Sequence, residues 1–230
     1  MLRLQEITVI YPDKTLAVEK VSFTLNEGES IALLGENGAG KTTLLLAIVG
    51  ILELADGTVE IDNLQLGKKT INEIRKRIAL VFQNPDDQLF MPYIYDDIAF
   101  GCRNAGLPEH AVKIRVQETL DQLSIRHLEN RSSLKLSGGE KRMAAIATVL
   151  AMNPSVLLFD EPTAFLDPKA KRSLAKTLKQ LPFPKIIATH DIAFVKEVCD
   201  RVIVLKNGRI ITDGSVSLLD DTELLRSFGL

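Results

Sequence analysis

Residues 35–42, with the sequence GENGAGKT, constrain the fold of this chain more than any other stretch. They match the pattern G-x-x-x-x-G-K-[ST] at every position and lie between an apolar run, Ser30–Leu34, and a helical run, 43–49. A loop in this context turns successive backbone N–H groups toward a phosphate, while the helix N-terminus favours negative charge. The sequence therefore predicts a nucleotide-phosphate site made of Gly35, Glu36, Asn37, Gly38, Ala39, Gly40, Lys41, Thr42 and Thr43, in which Lys41 reaches the outer phosphates and the Thr42 hydroxyl ligates Mg²⁺.

Composition and charge narrow the class of protein further. Of the 230 residues, 46% are hydrophobic and 25% are charged, which is typical of a globular protein. The net charge of −2 gives no general reason to bind nucleic acid. Because no apolar tract reaches the roughly 18 residues of a membrane-spanning helix and residues 2–4 resemble a strand, we expect a cytosolic chain without a signal peptide. Cys102 and Cys199 lack metal-site spacing and are expected to be reduced thiols.

Three further apolar runs, each short enough to be a buried strand, end directly at polar side chains. They are 78–82 before Gln83, 156–159 before Asp160 and Glu161, and 185–189 before His190. Ligands of α/β proteins bind at the carboxyl ends of such strands. Strand-end carboxylates are often only solvated, but after a phosphate loop we favour a metal site. Asp160 then holds Mg²⁺, Glu161 faces the γ-phosphate, and His190 donates a hydrogen bond to it.

The first 25 residues predict an antiparallel β lobe. Residues 3–10 and 21–25 have strand character and are separated by a turn that begins at Tyr11. Tyr11 is either a half-buried packing residue or a face on which an adenine base stacks, and the sequence alone leaves both interpretations open.

Residues between the phosphate loop and strand 156–159 predict a helical lobe. Residues 96–125 have helical periodicity, and Pro108 is placed to open the second of two helices. Ser137 caps another helix, whose first residues Gly138 and Gly139 form either a second anion site or a plain capped terminus. We predict a single α/β domain over 1–230, with a helical subdomain at about 84–153 inserted into it.

In their order along essentially the whole chain, these motifs resemble the nucleotide-binding subunit of an ATP-binding cassette (ABC) transporter. Residues 35–42 are similar to Walker A, Gln83 to the Q-loop, 136–140 to the LSGGQ-like signature, Val156–Asp160 with Glu161 to Walker B and its catalytic glutamate, 166–167 to the D-loop, and His190 to the switch histidine. The resemblance implies a P-loop NTPase core with a mostly parallel sheet, an N-terminal antiparallel β subdomain and an inserted α-helical subdomain.

The resemblance also implies roles for individual residues in ATP hydrolysis. The catalytic residues would be Glu161, His190, Gln83 and Lys41; Mg²⁺ would be held by Thr42, Gln83 and Asp160; and Tyr11 would stack on adenine. Ser137, Gly138, Gly139 and Asp167 would act in trans, on the nucleotide of an opposite subunit. The resemblance therefore implies a head-to-tail dimer, either a homodimer or a heterodimer with a second ABC ATPase.

Residues 81–90 and 97–101 resemble a narrower group, the ATPase subunits of energy-coupling factor importers for cobalt, nickel, biotin and other vitamins. In that group the segment after the Q-loop receives a helix of the membrane subunit. The apolar and aromatic residues 89–95 form either core or such a docking surface.

The resemblance implies integral membrane partners docking near residues 83–95 and a position at the cytoplasmic face of the membrane. The alternatives are a soluble ABC ATPase of DNA repair or translation, and a cassette of another ABC transporter class. Two residues depart from the family pattern: Met143 replaces a commonly basic residue, and Phe165 replaces a small one.

Overall fold

The computed structural model describes residues 1–228, so the last two residues of the predicted 1–230 domain lie outside the described part. The strands are β1 (Leu2–Ile10), β2 (Leu16–Leu25), β3 (Ser30–Leu34), β4 (Asp56–Ile61), β5 (Leu64–Gln65), β6 (Ile78–Val81), β7 (Val156–Asp160), β8 (Lys185–Ala188), β9 (Arg201–Lys206) and β10 (Arg209–Ser215). The helices are α1 (Lys41–Ile48), α2 (Ile71–Arg77), α3 (Ile94–Asn104), α4 (Glu109–Gln122), α5 (Gly138–Leu150), α6 (Pro168–Gln180), α7 (Ile192–Val198) and α8 (Thr222–Phe228).

The N-terminal β lobe is an antiparallel sheet in the order β2-β1-β4-β5. Strand β2 begins at Leu16, five residues before the start that the sequence predicted at residue 21. The extra residues pair with the end of β1, where Val18 lies opposite Val9 and Leu16 opposite Ile10 across an irregular register. Register irregularities of this kind interrupt the alternation of apolar and polar residues, which is why the pattern underestimates the strand.

The second sheet has the order β10-β9-β3-β8-β7-β6, with parallel pairing from β9 to β6 and an antiparallel β10 at one edge. Strand β3 is buried at every residue because it has packed layers on both faces. Ile31 and Leu33 contribute to the core shared with the N-terminal sheet and α1, whereas Ala32 and Leu34 contribute to the core shared with the helical region. Alternate residues of one strand thus join the two halves of the molecule.

Helices α3, α4 and α5 contact one another and form the helical region that the sequence predicted. Pro108 immediately precedes α4 in extended conformation, as expected for a residue that begins a helix. The predicted subdomain limits of about 84 and 153 enclose all three helices and remain a proposal. Within residues 1–228, no helix has the length and apolar character needed to cross a bilayer. Cys102 and Cys199 are buried free thiols, and burial raises the pKa of Cys199 to about 12.

The parallel pairing brings the carboxyl ends of four strands to one edge of the sheet. Leu33 of β3 and Asp160 of β7 both align with Ala188 of β8, while Phe159 aligns with Val81 of β6. The phosphate loop follows β3 directly, and Gln83, Glu161 and His190 follow the other three strands within two residues. The fold therefore assembles at one edge the polar side chains that the sequence places far apart.

Candidate active site

The phosphate loop follows β3 and leads into α1 without any side-chain cap. Its last residue, Gly40, has φ 100 and ψ 6, a left-handed conformation that glycine adopts without penalty. A Cβ atom at Gly40 would lie 2.5 Å from the carbonyl oxygen of Ala17, so a larger residue would displace backbone. Because no side chain caps α1, the N–H groups of its first turn remain available to an anion.

Lys41 is the first residue of α1, and only 6% of its surface is exposed. Its Nζ donates to the carbonyl oxygens of Gly35 at 2.7 Å and Glu36 at 3.1 Å, and lies 3.9 Å from Oε1 of Glu161. Burial lowers the pKa of Lys41, while the carboxylates of Glu161 and Asp160 oppose that shift. The loop carbonyls thus hold the ammonium group folded back over the loop, where an incoming phosphate would replace them as its partner.

Thr42 and Asp160 join the phosphate loop to the end of β7. The Thr42 hydroxyl donates to Oδ1 of Asp160 at 3.1 Å. Burial raises the pKa of Asp160, and the hydrogen bond from Thr42 lowers it. Among residues 1–228 no group of three or more His, Cys, Asp or Glu side chains could hold a metal ion. The oxygen pair of Thr42 and Asp160 nevertheless fits Mg²⁺, which prefers hard oxygen ligands and completes its shell with phosphates and water.

Glu161 lies directly after β7 with only 7% of its surface exposed. Its Oε2 accepts a hydrogen bond from the Thr189 hydroxyl at 3.1 Å, and Nδ1 of His190 lies 3.1 Å from Oε1 and 3.0 Å from Oε2. The backbone of Glu161 has φ 42, which is uncommon for a residue with a side chain and is found at functional sites. The Glu161 carboxylate, which follows β7, is therefore held in one direction by Thr189 and His190, which follow β8.

A cleft of about 610 Å³ lies over the phosphate loop. Ten residues for which the sequence predicted a role line this cleft: Tyr11, Asn37, Gly38, Gly40, Lys41, Thr42, Thr43, Gln83, Glu161 and His190. The Tyr11 hydroxyl lies 2.8 Å from Oγ1 of Thr43, which ties the aromatic ring to α1. A second cavity of about 610 Å³ adjoins Thr42, Gln83 and Asp160.

The signature residues do not take part in this cleft. Within the described residues, neither cavity beside Thr42 is lined by Ser137, Gly138, Gly139 or Asp167. Ser137 instead forms a capping box on α5: Oε2 of Glu140 accepts from the Ser137 amide at 2.8 Å and from its hydroxyl at 2.7 Å. Asp167 caps α6 by accepting a hydrogen bond from the Ala170 amide at 2.8 Å. The predicted action of these residues in trans therefore stays a prediction.

Two residues of the site, Thr189 and Arg142, were not predicted from the sequence. Thr189 is fully buried and orients Glu161. Arg142 is 1% exposed and donates to the carbonyl oxygens of Phe82 and Gln83, both at 2.6 Å. One signal for Arg142 was available, because it occupies the same helical face as Ile146 and Val149 and is therefore a charged residue in an apolar stripe.

A buried lysine in a glycine loop, two carboxylates at the end of β7 and an open cleft lined by Lys41 and Glu161 define a phosphate-loop nucleoside triphosphatase. The family model described as ABC transporter matches residues 18–164, and the chain belongs to that family as an ATP-hydrolysing subunit.

Several relatives and solved structures support this assignment. An ABC transporter ATP-binding protein of Geobacter sulfurreducens is 45% identical over 98% of this chain and 91% of its own length. The energy-coupling factor transporter ATP-binding protein EcfA of Methanothermobacter thermautotrophicus is 41% identical over 100% of this chain and 76% of its own. The structure of cbiO1 from Clostridium perfringens, part of the ABC transporter complex cbiONQ, has a TM-score of 0.88 at 40% identity, covering 98% of this chain and 93% of that one.

A dimeric ATP-binding cassette, MJ0796, bound to ADP and Pi has a TM-score of 0.83 at 27% identity, covering 94% of this chain and 99% of that one. The family and the fold predicted from the sequence are thus confirmed, as is the prediction of an ATPase. The roles assigned to individual site residues remain predictions.

Proposed function

We propose that this chain is the ATPase subunit of an energy-coupling factor importer for a transition metal ion or a vitamin such as cobalt, nickel or biotin. One observation supports it most directly: an apolar groove of about 380 Å³ lies immediately beyond Gln83, outside the nucleotide cleft. Its walls include Ile51, Phe82, Phe90, Phe100 and Met152. The relatives named EcfA, and cbiO1 as part of the ABC transporter complex cbiONQ, support the existence of transporter partners. We interpret the groove as the place where a membrane subunit docks.

For residues 89–95 the sequence predicted either core or a docking surface. The structure shows that some of these side chains are buried and others are exposed. Leu89 and Ile94 are buried, whereas Phe90 and Tyr93 are 62% and 53% exposed. The Phe90 ring packs edge-on against Phe100 with their centroids 5.0 Å apart. An exposed aromatic pair beside an apolar groove fits the apolar face of an inserted helix. Docking there would place the chain at the cytoplasmic face of the membrane as a peripheral subunit.

The active site supports hydrolysis by attack of water on the γ-phosphate. In this proposal Glu161 polarises the water, His190 holds the water and the γ-phosphate in position, and Lys41 neutralises charge on the phosphates. Mg²⁺, held by Thr42, Asp160 and Gln83, would supply further neutralisation of the phosphate charge. Gln83 lines the nucleotide cleft, and its chain neighbours Phe82, Gln88 and Phe90 line the groove. In this proposal the segment therefore transmits changes at the ATP site to the docked membrane subunit.

The site is also proposed to be completed by a second subunit. The N-terminus of α5, with Gly138 and Gly139, is an anion-binding terminus outside the cleft of its own chain. The dimeric cassette bound to ADP and Pi supports pairing of two chains. The head-to-tail arrangement, in which this terminus meets the nucleotide of the opposite chain, is part of the proposal.

Affinity purification of the tagged chain from its own membranes tests the transport proposal. We expect an integral membrane protein to co-purify with the wild type and to be lost with F90S, because Phe90 belongs to the groove. The matched control is I114S, since Ile114 is 54% exposed but belongs to α4, outside the groove lining. Recovery of nucleic acid that is released by salt would instead support an ATPase of DNA repair or translation. Equal recovery of the membrane protein with F90S would contradict docking in the groove.

A further inference from the structure

Arg142 is a buried guanidinium group without a hydrogen-bonded carboxylate partner among the described residues. It lies in the first turns of α5, and its NH1 and NH2 groups donate to the carbonyl oxygens of Phe82 and Gln83, each at 2.6 Å. Burying a charged group is unfavourable unless its position is stabilised by other contacts. The planar, forked guanidinium group can bond two successive carbonyls at once, whereas a lysine offers a single charged centre.

Burial lowers the pKa of Arg142 to about 10, and the charge of Asp160 opposes that shift. The guanidinium therefore remains protonated at neutral pH and lies within the electrostatic influence of the carboxylate beside Thr42. Among residues 1–228 its Nε has no hydrogen-bond partner, so the two carbonyl contacts are the directed interactions of this side chain.

Two other contacts attach the same segment to α5. Nζ of Lys141 lies 2.6 Å from Oδ1 of Asp86, and Nε2 of Gln88 donates to the carbonyl oxygen of Ala145 at 2.8 Å and to Thr148 at 2.7 Å. Residues 82–88 are thus held along three successive turns of the helix. Of these contacts, only those of Arg142 reach the residue that lines the nucleotide cleft, Gln83.

We propose that Arg142 is a positioning residue: it holds the backbone at Phe82 and Gln83 so that the Gln83 side chain stays in the nucleotide cleft and moves together with the signature helix α5. This inference rests on the proposed catalytic role of Gln83. It links the end of α5 that would meet the opposite subunit's ATP to a residue of the chain's own site. A shift of α5 is then transmitted to Gln83 through two hydrogen bonds.

The test is a double-mutant cycle on the full chain with Mg-ATP, using Q83A, R142M and the double variant. We expect R142M to lower kcat about 10- to 100-fold, the size of effect that a small misplacement of a catalytic group produces. ATP affinity should change less than about 3-fold, since Arg142 contacts no residue of the phosphate loop. If Arg142 acts through Gln83, the double variant has nearly the kcat of Q83A alone. Losses that multiply would overturn the inference and indicate a structural role.

Two further variants keep the test decisive. R142K retains the charge but cannot bond both carbonyls, so we expect a kcat between those of the wild type and R142M. In the Q83A background R142K should cause no additional loss of kcat. If R142M does not fold, R142K replaces it in the double-mutant cycle. R172M, on the exposed face of α6, should match the wild type and controls for loss of an arginine. Absence of ATPase activity in the wild type would refute the proposed function itself, whereas full activity of Q83A would overturn the positioning role with the wild-type ATPase intact.

Discussion

The geometry of Glu161 is constrained by its own backbone and by two neighbouring side chains. A positive φ of 42, the Thr189 hydroxyl at 3.1 Å and His190 at 3.0 Å together determine where its carboxylate lies. Residues held in uncommon backbone conformations cost about 1–3 kcal/mol and persist where the surroundings over-determine them. The backbone conformation of Glu161 therefore lowers the stability of the fold, at the position where the proposed mechanism needs an oriented base.

Replacing Glu161 with glutamine tests that role. E161Q keeps the shape and the hydrogen bond from Thr189 but removes the base, so ATP hydrolysis should fall at least about 100-fold. ATP binding should persist, and the ATP-bound protein should accumulate as a dimer in size-exclusion chromatography. E27Q, an exposed substitution of the same type, is the control. Hydrolysis by E161Q at the wild-type rate would show that Glu161 is not the base.

Phe165 offers a residue-level prediction about stability. It is 87% exposed and has φ 62, a left-handed conformation that disfavours any residue with a Cβ atom. F165G should remove this strain and raise the free energy of unfolding by about 0.5–1 kcal/mol after the added flexibility of the unfolded chain is counted. A thermal melt should then show a gain of about 1–4 °C.

The matched control for this prediction is F165A, which removes the ring but keeps the Cβ atom and the strain. F165A should therefore show no gain. If both variants melt below the wild type, the exposed ring makes stabilising contacts in solution that a single chain does not contain, and the strain argument is insufficient.

At the scale of elements, the N-terminus of α5 has an acidic cap at the place where an anion site is proposed. The Glu140 carboxylate accepts two hydrogen bonds from Ser137, and these bonds lower the pKa of Glu140. The carboxylate is therefore charged at neutral pH and adds negative charge where the opposite subunit's γ-phosphate is proposed to bind. The family pattern named after LSGGQ has a neutral glutamine at this position.

E140Q should therefore strengthen the ATP-dependent dimer. Glutamine preserves the capping box, so the helix should remain intact while the charge near its N-terminus disappears. A charge at a helix terminus is worth about 0.3–1 kcal/mol, or about a 2- to 5-fold change in an equilibrium constant. The ATP concentration for half-maximal dimerisation, measured in the E161Q background, should fall by that factor. E118Q on the exposed face of α4 is the control, and an unchanged or higher midpoint with E140Q would contradict the proposed anion site.

Elements were predictable from the sequence where a single local pattern determines them. Strands β3 and β7 are continuous apolar runs, so the sequence located them correctly. The loop between β3 and α1 was located from its fixed glycine and lysine spacing. The first half of β2 was missed because its register against β1 is irregular. The charge of Arg142 within an apolar helical stripe was visible in the sequence, but its partners were not, because they are backbone carbonyls about 60 residues away.

At the scale of the whole molecule, one chain is proposed to contribute to ATP sites from two separate places, the cleft and the N-terminus of α5. The cleft residues meet through parallel pairing of β3, β6, β7 and β8, which is internal to the fold. The terminus of α5 is not part of that cleft. An isologous pairing about a two-fold axis would bring each cleft onto the α5 terminus of its partner and create two equivalent sites.

Mixing two inactive variants tests this arrangement. K41M removes the phosphate-binding lysine, and G138D places a negative charge at the α5 terminus. A Cβ at Gly138 would have its nearest contact at 3.6 Å, from the Phe165 carbonyl oxygen, so the fold should tolerate G138D. Each variant alone should lack ATPase activity. In a mixed dimer the cleft of the G138D chain meets the intact terminus of the K41M chain, which restores one of two sites.

Random pairing of equal amounts makes half of the dimers mixed, so about a quarter of the wild-type sites should be restored. The measurement is ATPase activity of the mixture against each variant and against the wild type at the same total concentration. If the purified wild-type chain is active, any composite site in it must come from two copies of this chain, because no other ATPase subunit is present. An active G138D variant would then show that each cleft is complete in its own chain, and an inactive mixture would refute the head-to-tail arrangement.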